Sequence, residues 1–321
     1  ILRGSHHLWG IPSFLAMGLR RVLPLALLSC AMGLRQRARA LAVRGGALRE
    51  SIAYGGQKKP VFYDMTHSNN AARVRLWLRL VDPALSQQVE STFITYDDLR
   101  SEEYGKLNPL RKVPALVRGD GGTVFESDVI LKYLEDLYGN NEAMTPATPE
   151  GRQVMNLFIR IHDIYISSPN CSADGFCHSQ GAMYLSTKWH GARRGMDIAT
   201  REAKIAEIFK QLTWLEANKV EGPCPEHKTN FYMTLADLTW MPTCVFMEFL
   251  LPRVFGWADP FGTASPFPRL AAWYQGLLER PAFAETRSEI WNYWVEMEKK
   301  GQFEPIVAEL NAAPERKWTY P

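Results

Sequence analysis

The sequence predicts an α/β domain followed by an all-α domain. Strand-like and helix-like runs alternate from about residue 58 to 140, and a polar, proline-containing linker, "NNEAMTPATPEG", comes next. Beyond it the strand signals vanish and helical periodicity continues to about Lys300. The 321 residues, 46% hydrophobic with ten tryptophans, suffice for two domains with substantial cores. The expected boundaries are an extension over 1–57, the α/β domain over 58–140, a linker over 141–150, the helical domain over 151–302 and a tail over 303–321.

"KKPVFYDM" reads as the first strand, followed by a polar loop, Thr66-His67-Ser68-Asn69-Asn70, that turns directly into a helix. In that helix Val74, Trp77, Leu78 and Val81 fall at i, i+3, i+4 and i+7. One face is therefore buried, and Arg73, Arg75 and Arg79 are expected off it. "STFITYD" is a second strand, and "DLRSEEYGKLNP" a short helix ended by Asn108-Pro109. "VPALVRGDGGTVFES" is a hairpin turning at Asp120-Gly121-Gly122. "SDVILKYLEDLYG" is a helix with Ser127 to cap its start and Gly139 its end. The order β-α-β-α-β-β-α, with the last two strands antiparallel, is the layout of a thioredoxin-like domain.

In the helical half, "TLADLTW" places Thr234 and Asp237 at capping-box spacing, with Met233 and Leu238 as a hydrophobic staple. "ASPFPRLAAWYQGLLERPAF" is a helix bracketed by prolines, and Ser167 to Gly181 reads as a loop.

Charge separates the two ends of the chain. The formal charge is +3, yet the first 49 residues hold eight arginines and no acid; the rest carries 29 basic against 34 acidic residues. A body of about −5 argues against a nucleic-acid surface. The Arg-rich start, with an apolar run of about ten residues, has the composition of a mitochondrial, plastid or secretory presequence. That run is too short for a stable membrane span. The five cysteines are odd in number and form no CxxC pair, which points to a reducing compartment, cytoplasmic or organellar, and to no zinc or other metal site.

The polar loop, "NPLRKVPAL", "ESDVILKYLE" and "TLADLTW" occur in the order found in cytosolic-type glutathione S-transferases. The chain resembles that family from about Pro60 to Lys300, with serine-type, zeta/theta-like features. The resemblance implies an α/β thioredoxin-like N-terminal domain followed by an all-α C-terminal domain. It further implies glutathione as co-substrate, a small electrophile as second substrate, and a homodimer.

The physical role of each piece follows. A proline after Val113 takes the cis form at modest cost, so an extended peptide such as glutathione pairs with Val113 and Pro114 as if adding a strand. Glu126-Ser127 stands where a strand meets a helix. Free N–H groups and the helix dipole attract a carboxylate there, Ser127 adds a hydroxyl, and Glu126 pairs with an ammonium. Lys112 and Arg111 are placed to reach the glycyl carboxylate.

The nucleophile is the thiolate, and an unperturbed thiol with pKa near 8.5 is only about 3% ionised at pH 7. Lowering that value by two units needs roughly 2.7 kcal/mol of anion stabilisation, the size of one good donor plus a helix N-terminus. Ser68, five residues after Tyr63, resembles the donor of zeta-like members, as does the "RVR" at Arg73 to Arg75. Asn70 resembles the donor of asparagine-using members, and Tyr63 that of tyrosine-using ones. The zeta-like pattern has a cysteine where Asn70 stands, which weighs against cysteine-dependent isomerase, lyase or reductase chemistry. His67 has no evident partner in the sequence.

His162, Asp163, Tyr165 and Ile166 are candidates to line the electrophile pocket, with Tyr184, Trp189 and His190 beyond them. Asp163 is alternatively a holder of the γ-glutamyl ammonium. Rival readings are a glutathione-dependent isomerase, peroxidase or dehalogenase, and a non-catalytic scaffold of the same fold.

Overall fold

The first strand, β1 (Val61–Asp64), buries Phe62 and Asp64 and leaves Val61 and Tyr63 half-buried, the alternation of a strand with one face covered. The computed structural model describes residues 59–81, 83–138, 144–167, 179–191, 195–218 and 233–321. The expected presequence, Gly139 and the Cys171 to Cys177 loop lie outside the described residues.

β1 lies inside a four-stranded sheet of order β2-β1-β3-β4. β2 (Glu90–Phe93) runs parallel to it, so the chain must cross over, and α1 (Asn69–Leu80) with the short α2 (Pro83–Ser86) provides the crossover. β3 (Ala115–Val117) is antiparallel to β1, with Tyr63 opposite Ala115, and β4 (Thr123–Phe125) closes the hairpin. Its turn uses Gly121 at φ 88°, a conformation that costs glycine nothing.

Between β2 and β3 the expected single helix is two, α3 (Tyr96–Arg100) and α4 (Glu102–Leu107). Ser101 causes the break: its extended backbone ends α3, and its hydroxyl accepts the N–H of Tyr104 to start α4. α5 (Ser127–Tyr138) packs on α1 from beyond β4.

The helical half begins with α6 (Pro149–Ile161), capped by Thr148, whose hydroxyl accepts Gly151 N–H at 3.1 Å. A π-helical turn, His162–Ile166, extends it. A 3₁₀ turn (Gln180–Met183) and α7 (Thr187–His190) lead to α8 (Ile198–Asn218) and α9 (Leu235–Phe255). α9 is buried on nearly every side, as an apolar helix at the centre of a bundle should be. Thr234 and Asp237 form the expected capping box, the carboxylate accepting Thr234 N–H at 2.7 Å, and Met233 and Leu238 are both buried.

The proline-bracketed segment holds α10 (Pro268–Leu278), and its last proline starts α11 (Pro281–Lys299). The expected tail contains α12 (Glu304–Asn311) and buries Trp318 and Tyr320; Trp257 donates from Nε1 to the Trp318 carbonyl at 2.8 Å.

α1 packs against α5, α9 and α11, so it is enclosed rather than one-sided. This corrects the expectation for its arginines: Arg73 and Arg75 are only 4% and 5% exposed. Their charges are tolerated inside because each guanidinium meets a carboxylate and further acceptors.

Candidate functional site

The loop after β1 is organised by a buried ion pair. Asp64 accepts Met65 N–H at 2.7 Å and Arg75 Nη1 at 2.5 Å, while Arg75 Nη2 donates to the Thr66 carbonyl at 2.8 Å. Burial pushes the Asp64 carboxyl up, against the pull of Arg75. Ser68 N–H donates to the Met65 carbonyl at 2.8 Å, which turns the chain into α1.

Ser68 is the N-cap of α1, its Oγ accepting Ala71 N–H at 3.2 Å. An oxygen engaged as acceptor keeps its proton for donation, and this one sits at the positive end of a twelve-residue helix. Asn70 and Tyr63 are both half-buried, and Tyr63 meets the edge of Tyr104 with ring centroids 5.8 Å apart. His67 has partners: its ring stacks on Tyr293, and Nε2 lies 2.9 Å from the Tyr96 hydroxyl.

The approach to β3 is fixed through one carbonyl. Lys112 O accepts from the Tyr104 hydroxyl at 2.7 Å and from Asn108 Nδ2 at 2.8 Å. The Val113–Pro114 peptide is cis. Pairing of β3 with β1 begins at Ala115, so Val113, half-buried, lies outside the ladder. Arg111 does not reach outward as expected: its guanidinium folds back onto the carbonyls of Arg100 and Ser101, satisfying the end of α3.

Glu126 is exposed and holds a left-handed backbone, φ 70°. For a residue with a Cβ this conformation costs about 1–2 kcal/mol, so the surrounding contacts must enforce it. Its carbonyl receives Ile130 N–H at 2.9 Å, and Ser127 starts α5. Ser127 is 4% exposed, and its Oγ accepts from Arg73 Nε at 2.7 Å. A serine proton and a helix N-terminus thus stand beside a guanidinium, a setting suited to a carboxylate.

Arg73 ties this corner to the Ser68 corner through a buried network. Its Nη1 reaches Asp163 Oδ1 at 3.2 Å and Thr239 Oγ1 at 3.3 Å. His162 Nδ1 lies 2.9 Å from the same Asp163 oxygen, and His162 Nε2 lies 2.7 Å from Thr243 Oγ1. Asn69 Nδ2, next in sequence to Ser68, is 2.8 Å from Thr243 Oγ1, 2.9 Å from Ser167 Oγ and 3.0 Å from Gln180 Oε1. Burial alone would push Asp163 up, but the His162 hydrogen bond and the Arg73 charge hold it down at about 2.

That network corrects the expected electrophile surface. His162 and Ile166 are fully buried, so neither presents a face to a cleft; the outward residues of this turn are Ile164 and Tyr165. Tyr184 packs on Trp294, with ring centroids 5.0 Å apart, and its ring meets His190, while Trp189 is exposed. Sequence reading missed Asn69 and the buried role of Arg73. For Arg73 the "RVR" spacing is the only local signal, because the partners of both residues lie some 50 to 170 residues away. Among the described residues no group of three or more His, Cys, Asp or Glu could hold a metal ion, and no helix is long and apolar enough to cross a membrane.

A small mixed sheet with its cis-proline turn, a serine capping the first helix and a helical half packed on that helix together define a thioredoxin-like domain of the glutathione transferase kind. Residues 62–142 match the family profile "Glutathione S-transferase, N-terminal domain", which identifies this part of the chain as a domain of that kind and supports the glutathione S-transferase superfamily. It is similar to glutathione S-transferase Z1 of Arabidopsis thaliana, 27% identical over 243 residues that span 74% of this chain and 96% of that protein. It is also similar to the glutathione S-transferase-like protein OpS6 of Beauveria bassiana, at 24% over 206 residues, 63% of this chain and 84% of that one. The glutathione transferase URE2P5 from Phanerochaete chrysosporium shares the fold with a TM-score of 0.57 and 20% identity, over 75% of this chain and 98% of that one. URE2P6 of the same fungus, solved with oxidized glutathione, gives 0.52 and 24%, over 74% and 100%.

Proposed function

We propose that the protein is a glutathione transferase that joins the thiolate of glutathione to a small electrophile, with Ser68 as the donor to sulfur. One observation carries the reading: the Ser68 oxygen is spent as the acceptor of Ala71 N–H, which leaves its proton for an anion at the N-terminus of α1. Donor and helix end together match the roughly 2.7 kcal/mol that a two-unit drop in thiol pKa requires. Asn70 and Tyr63 are the alternative donors. Val113, beside Pro114, offers its backbone to the extended peptide; Ser127 and the start of α5, backed by Arg73, take the γ-glutamyl carboxylate. Glu126 takes the ammonium and Lys112 the glycyl carboxylate. The sulfur forms a bond to an electrophilic carbon while the leaving group departs with its electron pair.

In this reading residues 58–140 bind glutathione and residues 151–302 supply the electrophile surface, with Ile164 and Tyr165 as its exposed apolar members and Asp163 at its edge. The protein acts as a homodimer, a reading supported by the exposed Val129 on α5 and Leu157 on α6.

The test is glutathione binding by calorimetry together with conjugation of a chloronitrobenzene. The parent binds and conjugates. Ser127→Ala weakens binding about tenfold, as loss of one charge-assisted hydrogen bond does. A parent that binds glutathione but conjugates nothing in an electrophile panel sinks the transferase reading and favours a scaffold.

A further inference from the structure

The residue just before Ser68 is gripped by parts of the molecule far away in sequence. His67 stacks on Tyr293 of α11 with ring centroids 3.7 Å apart and planes 6° from parallel. Its Nε2 lies 2.9 Å from the hydroxyl of Tyr96, the first residue of α3. Burial, then the nearby Arg75 charge, lower the imidazole pKa to about 4, so the ring is neutral at ordinary pH.

Tyr293 continues a face of α11 that already holds α1. Glu285, Glu289 and Tyr293 are four residues apart and share one side of the helix. Glu289 lies 2.6 Å from Arg79 Nη2 and 3.2 Å from Arg75 Nε, and Glu285 lies 3.2 Å from Arg79 Nη2. Arg79 also donates to Thr286 at 2.6 Å. The acidic part of this face fixes the helix that Ser68 caps, and the aromatic part fixes the loop that delivers Ser68. The cap bond alone, 3.2 Å long, is a loose hold on the hydroxyl.

We propose that His67, Tyr293 and Tyr96 form a positioning device for Ser68, with the His67–Tyr293 stack docking the loop on α11 so that the serine proton meets the glutathione sulfur. The inference rests on the transferase reading above. A donor must be held within about 0.5 Å of its productive geometry, so a loop that activates a thiol needs holding from both sides. α11 then acts on the thiol through the loop that it positions.

The experiment measures the thiolate ultraviolet absorbance of glutathione bound to the full chain as pH is varied, beside thermal melts. In the parent the bound thiol has a pKa well below the free value. Tyr293→Leu and His67→Leu raise it by about one unit, roughly tenfold in the ionisation equilibrium, while glutathione is still bound. Tyr293→Phe keeps the ring and retains most of the parent's shift. If Tyr293→Leu fails to fold, His67→Phe against His67→Leu gives the same contrast, ring kept against ring lost. Leucine variants that melt earlier but leave the thiol pKa unmoved overturn this inference alone. A parent whose bound thiol is unshifted overturns the transferase reading beneath it.

Discussion

Arg73 belongs by its spacing to the outer face of α1, yet its guanidinium is buried against Ser127, Asp163 and Thr239. Periodicity counts an arginine as exposed, and only its long-range partners overturn that. The same blindness hides Asn69 and makes His67 look isolated; Ser68 is singled out by its resemblance to a donor position, while its role as the cap of α1 emerges only in the structure. Asp163 gives this scale a pH signature. Its carboxyl is held at about 2 in the folded protein, below its unfolded value, so its stabilising contribution is present above pH ~4 and is lost as pH falls towards 2. That contribution is about 2 kcal/mol at neutral pH. Asp163→Asn should therefore be less stable than the parent at pH 7, with the gap narrowing in urea titrations taken from pH 6 to pH 3. A gap independent of pH would show that Asp163 is held by packing rather than by its charge.

At the level of elements, signals confined to a few residues were read well. The Thr234–Asp237 box and the turn at Gly121 depend on neighbours within four positions, whereas Ser127, expected to cap α5, is its first residue and gives its oxygen to Arg73 instead. The break of α3 from α4 at Ser101 was missed because a serine that ends one helix and caps the next looks, in one dimension, like a polar residue inside a single helix. α12 was missed because eight residues after a glycine turn give little periodicity. Asp237 does more than close its box: Oδ2 accepts Thr234 N–H at 2.7 Å, and Oδ1 accepts Trp273 Nε1 at 2.7 Å, joining α9 to α10. Thr234→Ala should cost about 1 kcal/mol and Asp237→Ala about 2 kcal/mol or more, since the second also orphans an indole N–H. Equal losses in denaturant titration would show that the Trp273 bond adds nothing to the cap.

Across the whole molecule the order of motifs, strands first and helices after, is enough to reach the fold and the glutathione S-transferase N-terminal domain, because each motif marks a junction that the topology needs. What one dimension hid is how the halves share one site. The cap of α1 and the start of α5 are joined through Asn69, Thr243, His162, Asp163 and Arg73, so residues read as a pocket lining belong to the brace between them. The central claim is that this brace serves a serine that ionises a thiol. The most direct measurement is the pH titration of the thiolate absorbance of bound glutathione in the parent and in Ser68→Ala. The account predicts a bound thiol pKa about two units below the free value in the parent, returning towards the free value in Ser68→Ala with glutathione still bound. A low pKa that survives Ser68→Ala would contradict the assignment and move the donor to Asn70 or Tyr63; an unshifted thiol in the parent would contradict the account itself.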